Sequence, residues 1–212
     1  MKEIFLSASV PEQGRGDFYE SADPFLIQFA VRELITVCLG RRRVVWGGHP
    51  SITPMVHAVC KDFGMEFVPP VVLYQSRFFE DRFPEDNKYF ETVLVDGVEG
   101  DLAASLLALR RAMLSRPIEA AVFVGGMEGI FQEYEVFRAL HGPNAQVLAL
   151  GAPGGAARQL AEGAGQIGRD ARDLDRIDFA RLFQERLGIS PEEKRQLKNG
   201  DAEDEDSEHL NW

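Results

Sequence analysis

Two glycine pairs each stand at the end of an apolar run: Arg43-Val44-Val45-Trp46-Gly47-Gly48-His49-Pro50 and Ala121-Val122-Phe123-Val124-Gly125-Gly126-Met127-Glu128-Gly129. A strand that ends in glycine lets the backbone approach a ligand closely. The helix that follows points its unpaired N–H groups at whatever sits there, an arrangement that suits an anion. A phosphate- or ribose-bearing small molecule is therefore the expected ligand, with Gly47, Gly48, Gly125, Gly126, Met127 and Gly129 as its frame. His49 adds a side chain that titrates near neutral pH and can stack on a base or donate a proton; the other account is a polar loop residue before a proline. Glu128 lies at the mouth of the second turn, and Glu133 and Glu135 in the stretch after it. Carboxylates there can accept hydrogen bonds from ribose hydroxyls or serve as general acid or base. For Glu128, attraction to the positive end of a helix is an equally good account.

These groups meet only if the elements bring them together. Residues 4–10 read as a buried strand ending at Pro11. Asp23-Pro24 then supplies an N-cap and a proline at the first helical position, and apolar residues recur at helical spacing to Gly40. Residues 44–46 are a second strand, followed by a helix over 51–63 that stops at Gly64, and by strands at 71–74 and 91–95. The stretch 77–84 mixes aromatics and charge without a period and is expected to be an insertion or a loop with a short helix. A helix over 102–114 ends before Pro117; the strand 120–124, the helix 129–140 and the strand 146–150 follow. A third glycine turn over 151–155, helices over 156–161 and 177–187, and a stop at Gly188 complete the pattern.

Strands alternating with helices in this way specify an α/β fold, a doubly wound, mainly parallel Rossmann-like sheet flanked by helices, in a single domain. In such a sheet ligands bind beyond the carboxyl ends of the strands, near the point where strand order reverses. Ser7 and Ser9 stand at the end of the first strand and, because strand side chains alternate, face the same side. Their hydroxyls can donate to a phosphate or hydroxyl of a ligand, or be satisfied by local backbone.

The chain has 212 residues, 45% of them hydrophobic, enough for one sizeable core. Its formal charge is −11, but six acidic residues between Asp201 and Glu208 supply much of that and leave −5 for the rest. No broad basic face is evident to follow a phosphate backbone, so nucleic acid is not the expected partner. Residues 1–195 are read as the binding domain and 196–212 as an acidic, solvated tail, with capture of a protein partner as its alternative role. No apolar run approaches the roughly 20 residues of a membrane span. The chain enters a strand-like segment directly at Met1-Lys2-Glu3-Ile4, so a cytoplasmic protein without a membrane partner is expected.

Cys38 and Cys60 fall among apolar neighbours on helices and read as buried free thiols. His57, His141 and His209 show no ligand spacing, so neither a metal nor a cofactor is expected. Arg41-Arg42-Arg43 reads as a solvated face at the amino end of the second strand. Trp46 reads as core, and Arg158 as a phosphate contact near the third turn.

Val44-Val45-Trp46-Gly47-Gly48 with Met55, together with Phe123-Val124-Gly125-Gly126-Met127-Glu128-Gly129-Ile130-Phe131-Gln132-Glu133, resembles the SLOG superfamily. That group includes the Lonely-Guy phosphoribohydrolases, the DNA-processing protein A family and nucleotide-sensing domains of bacterial conflict systems and melastatin channels. The likeness runs from about Ile4 to Leu160 and is strongest to a standalone prokaryotic branch, with Ile4-Phe5-Leu6-Ser7-Ala8-Ser9-Val10-Pro11 and Phe83-Pro84-Glu85-Asp86-Asn87 as further shared marks.

The hydrolases carry Pro-Gly-Gly-x-Gly-Thr-x-x-Glu, whose glycines and threonine hold phosphate and whose glutamate engages the ribose. Glu133 matches the glutamate. Val124 stands in place of the proline, Ile130 in place of the threonine, and one extra residue precedes Glu133. Leu109-Arg110-Arg111-Ala112-Met113 is similar to the hydrolases' Arg-Lys-x-x-Met, with Arg110 as the arginine that clamps phosphate.

The resemblance implies a nucleotide-binding frame that has lost a phosphate donor. A sensor of a nucleotide or nucleotide-derived ligand, in a bacterial defence or signalling system, is therefore expected ahead of an N-glycosidic-bond hydrolase, in which Glu133 and Arg110 would be catalytic. It also implies a homodimer or larger homo-oligomer and an effector protein as partner.

Overall fold

A computed structural model describes residues 1–62, 71–163 and 171–197; the expected helix stop at Gly64 and the acidic tail beyond 197 lie outside them. Six strands form one sheet: β1 Glu3–Ser9, β2 Arg43–Trp46, β3 Val71–Ser76, β4 Glu91–Val95, β5 Ile118–Gly125 and β6 Gln146–Ala149. Every pairing is parallel and the order is β4-β3-β2-β1-β5-β6. The helices are α1 Phe18–Ser21, α2 Pro24–Cys38, α3 Thr53–Asp62, α4 Leu102–Leu114, α5 Gly129–His141, α6 Gly155–Glu162 and α7 Phe179–Leu187.

Strand alternation divides the core into two layers. Ile4, Leu6, Val44, Trp46, Val122 and Val124 pack against α2, α3 and α7, whereas Phe5, Val45, Val72, Ala121 and Phe123 pack against α4, α5 and α6. Because both faces of the sheet are covered, its central strands are apolar throughout rather than alternating. Phe5 and Phe123 meet edge to face across β1 and β5 with centroids 6.0 Å apart, a geometry that adds about 1 kcal/mol to their burial. Trp46 is core, as its position predicts, and meets Phe90 edge-on.

The caps explain the sharp helix starts. Asp23 Oδ1 accepts from the N–H groups of Phe25 and Leu26 at 2.9 and 3.0 Å, and Asp101 Oδ1 accepts from Ala104 N–H at 2.9 Å. Each such cap stabilises its helix by about 1 kcal/mol. The insertion after β3 is two 3-10 segments, Arg77–Arg82 and Glu85–Tyr89, separated by Phe83 and Pro84. It docks on α3, where His57 stacks on Tyr89 with centroids 3.9 Å apart and its Nδ1 lies 3.2 Å from Asp86 Oδ1. Cys38 is buried and Cys60 half-buried; both are free thiols, and burial pushes each up to about 12.

Arg41-Arg42-Arg43 is not the solvated face its composition predicts. Arg42 is buried, sits 2.5 Å from Glu193 and 3.3 Å from Glu119, and anchors the segment after α7 to the amino edge of the sheet. Arg41 donates to the carbonyls of Val37, Pro191 and Glu193, and Arg43 pairs with Glu91. Apart from Val37, four residues before Arg41, the partners lie 48 to 152 residues away, beyond the reach of any local pattern.

Candidate functional site

The strand order reverses between β1 and β5, and their carboxyl ends form the crevice where this class of sheet binds ligands. Ser7 is on the face of β1 that packs against α4 and α5, next to Phe5 in alternation. Its hydroxyl donates to Glu133 Oε2 on α5. The other carboxylate oxygen of Glu133 faces Arg110 Nε of α4 at 3.7 Å, an ion pair too long for a hydrogen bond. Arg110 also reaches over the start of α5, with its Nη2 3.5 Å from where a Cβ on Gly129 would stand. Ser7, Arg110 and the first turns of α5 with Gly129 and Glu133, three separate parts of the sequence, thus share one place.

That place is largely withdrawn from water: the Arg110 and Glu133 side chains are 12% and 20% exposed. Burial pushes the Glu133 carboxyl above the usual carboxylate range, and the Ser7 hydrogen bond and the Arg110 charge oppose the shift without cancelling it. A carboxylate so placed can accept from a ribose hydroxyl or stabilise positive charge at an anomeric carbon. The guanidinium beside it can clamp phosphate.

The second glycine turn closes against β1. Gly126 N–H donates to Ser9 O at 2.8 Å, and Gly126 O accepts from Ala156 N–H of α6 at 3.0 Å. Gly126 sits at φ +72°, where a Cβ would stand 2.4 Å from Ile130 Cγ1, so no other residue fits there without rearrangement. Gly125, Ser9 and Gly126 therefore lie together at the crevice floor. Met127 is half-exposed and Glu128 exposed, and the Glu128 side chain makes no capping hydrogen bond to α5. Two amides of this turn are already engaged, Ile130 N–H by Met127 O at 2.9 Å and Phe131 N–H by Glu128 O at 3.2 Å. Ile130 itself is buried in the layer formed with Phe123 and Phe137.

The first glycine turn lies on the other side of β1, since Trp46 pairs with Leu6 in the strand before it. His49 O receives the N–H groups of Ile52 and Thr53, both at 2.9 Å, and the Thr53 hydroxyl at 2.9 Å, which fixes the entry into α3. His49 Nδ1 lies 2.7 Å from Ser51 Oγ, and the same hydroxyl accepts from Val10 N–H at 3.1 Å, joining the tip of β1 to this turn. Burial holds the His49 imidazole below its ordinary range; Glu12 opposes the shift and Arg15 reinforces it, placing the loop after β1 near the ring. Ser51 and Gln75, whose Nε2 donates to Gly47 O at 2.5 Å, belong to this turn and were not legible in the sequence, because neither stands in a recognisable spacing.

Other candidates are engaged elsewhere. Arg158 pairs with Glu162 at 2.8 Å and with Asp175 at 3.0 Å, and Glu135 is exposed on α5. A cleft of about 630 Å³ opens at the opposite, amino edge of the sheet, lined in part by Glu3, Arg41, Arg42, Arg116 and Glu193. Its guanidiniums are committed to protein partners, Arg116 to Glu3 and the Tyr74 hydroxyl. Among the described residues no group of three His, Cys, Asp or Glu side chains is placed to hold a metal ion, and no helix is long and apolar enough to cross a membrane.

Comparison with known proteins agrees with this fold. The model of the SLOG cluster3 family matches residues 17–187. A solved X-ray structure, the structural-genomics target TM1055, is similar over 87% of this chain and 99% of that chain, with 19% identity and a TM-score of 0.53, a likeness of fold. No curated protein matches the sequence.

Proposed function

The chain belongs to the SLOG cluster3 family, and from that membership we propose that it binds a nucleotide or nucleotide-derived ligand across the tips of β1, β2 and β5 and acts as its sensor. Ser7, Ser9, Gly47, Gly48, His49, Gly125, Gly126, Met127, Glu128 and Gly129 would line the site. The observation that carries this reading is the pairing of two glycine turns on either side of β1 with a buried Ile130 where the hydrolases resembled by this chain have a phosphate-gripping hydroxyl. In this reading ligand occupancy is passed to an effector protein by a homodimer or larger homo-oligomer. Thermal-shift measurements with AMP, NAD and ADP-ribose test the binding step. A ligand at a hundred times its Kd stabilises by about 2.7 kcal/mol, so saturating panels that leave the melting temperature unchanged would sink the proposal.

The contact of Glu133 with Ser7 and Arg110 favours a second reading, cleavage of an N-glycosidic bond. Glu133 would stabilise positive charge developing at the ribose C1′, and Arg110 would hold phosphate. Chromatography for free base released from nucleoside monophosphates or NAD separates the two. Release abolished by Glu133→Ala establishes the enzyme; binding without release leaves the sensor.

A further inference from the structure

The 3-10 segment Glu85–Tyr89 carries one polar side chain inward. Asn87 is 7% exposed, and its buried Oδ1 has no hydrogen-bond partner among the described residues. Its Nδ2 donates to Gln75 Oε1 at 3.4 Å, and Gln75 Nε2 donates in turn to the carbonyls of Gly47 at 2.5 Å and Tyr74 at 3.0 Å. Two carbonyls can only accept, so they fix the Gln75 amide with its nitrogen toward Gly47. The Gln75 oxygen must then receive a donor, which obliges Asn87 to present its nitrogen and strands its own oxygen. A buried acceptor without a donor is costly, and a side chain that merely filled this space would be apolar. The same Gln75 amide shapes Gly48, where φ is +72° and a Cβ would stand 2.6 Å from Nε2.

We propose that Asn87 is a positioning residue for the ligand site: acting through Gln75, it holds the Gly47 carbonyl and fixes the turn that presents Gly48 and His49. The proposal rests on the reading of that turn as part of a nucleotide site, and it gives the insertion after β3 a role. The polarity of the relay makes it testable by isosteric change. Asn87→Asp keeps the shape but sets a carboxylate against Gln75 Oε1, and Gln75→Glu removes the donor to Gly47 O.

Hydrogen exchange read by mass spectrometry on the free full-length chain, with calorimetric titration of AMP and ADP-ribose, provides the test. Asn87→Asp and Gln75→Glu are expected to speed exchange over residues 47–52 while β1 and β5 stay as in the wild type. They are expected to weaken whichever probe the wild type binds by roughly tenfold, the scale of one lost hydrogen bond. Asn87→Ala is expected to have the same effect in the wild type and none in a Gln75→Ala background. Persistence in that background would show a general packing role and overturn the relay. So would unchanged exchange over 47–52, or faster exchange with unaltered affinity. If exchange responds as expected but the wild type binds neither probe, the nucleotide reading fails while the strut on Gly47 stands.

Discussion

The Ser7 hydroxyl donates to the Glu133 carboxylate across 126 residues, from the tip of the central strand β1 to the helix that follows the second glycine turn. This contact lies at the reversal of strand order, and it places the one largely buried carboxylate of α5 beside the crevice at the carboxyl ends of β1 and β5. The carboxylate is shared between a hydroxyl and the Arg110 guanidinium. A ligand entering the proposed site must therefore compete for Ser7 or Arg110, or donate a hydrogen bond to a Glu133 oxygen already engaged.

Replacing Glu133 with glutamine should change the pH dependence of stability. The folded chain holds this carboxyl above its ordinary range, so the folded state binds the proton more tightly than the unfolded chain. The resulting stability is fully present below the ordinary glutamate value and is lost as pH rises through it toward the folded value. Glutamine does not titrate. The melting temperature of Glu133→Gln relative to wild type is expected to improve steadily across that window, in scans from about pH 4 to pH 7. A constant difference over that range would show that the carboxyl titrates as it would in an open chain.

Much of the architecture was legible because punctuation and periodicity agree. The helix read over 102–114 and ended before Pro117 is α4, found at Leu102–Leu114, and Asp23-Pro24 defines the start of α2. Strand alternation put Ser7 and Ser9 on one side of the first strand, and the family likeness singled out Arg110 and Glu133; that Ser7 meets α5 is seen only in the folded chain. What could not be read were contacts made only by the folded chain. Arg42 finds Glu119 and Glu193 at separations that no helix or strand period encodes. Gln75 and Asn87 form their pair through a 3-10 segment that has no repeating pattern.

His49 gives a pH dependence of opposite sign. Burial lowers its pKa in the folded state, so the unfolded chain binds the proton more readily. Stability from the neutral ring is present above the ordinary histidine value of about 6.5 and is lost as pH falls through it toward the folded value. His49→Gln should lose less stability than the wild type between about pH 7 and pH 5. The imidazole C–H resonances of His49 should titrate below those of a model peptide. A midpoint at or above the peptide value would contradict the burial of the ring.

Arg42→Ala should destabilise the fold without touching the crevice. The arginine side chain is 9% exposed, whereas Glu119 and Glu193 are 26% and 35% exposed and can recover some hydration once it is gone. Breaking a fully buried pair costs more than breaking a surface one, and this arrangement lies between them, at about 2–3 kcal/mol by urea denaturation. Glu193→Ala should cost less, because Arg42 keeps Glu119. Equal costs for the two would show that the anchor of the segment after α7 is packing rather than charge.

Ile130→Thr restores the residue type of the hydrolases but should not restore their phosphate grip. Ile130 is 2% exposed, belongs to the layer with Phe123 and Phe137, and lies directly under Gly126. Threonine there removes apolar volume and buries a hydroxyl, at a cost of about 2 kcal/mol in urea denaturation. Affinity for AMP should stay the same or fall, because a side chain in the core does not reach the crevice. A gain in AMP affinity of about tenfold with unchanged stability would show instead that position 130 faces the ligand. The departure from the hydrolase pattern would then lie in that one side chain. The outcome expected from the packing is that it lies in the turn itself, where Met127 and Glu128 carbonyls already occupy the amides of Ile130 and Phe131.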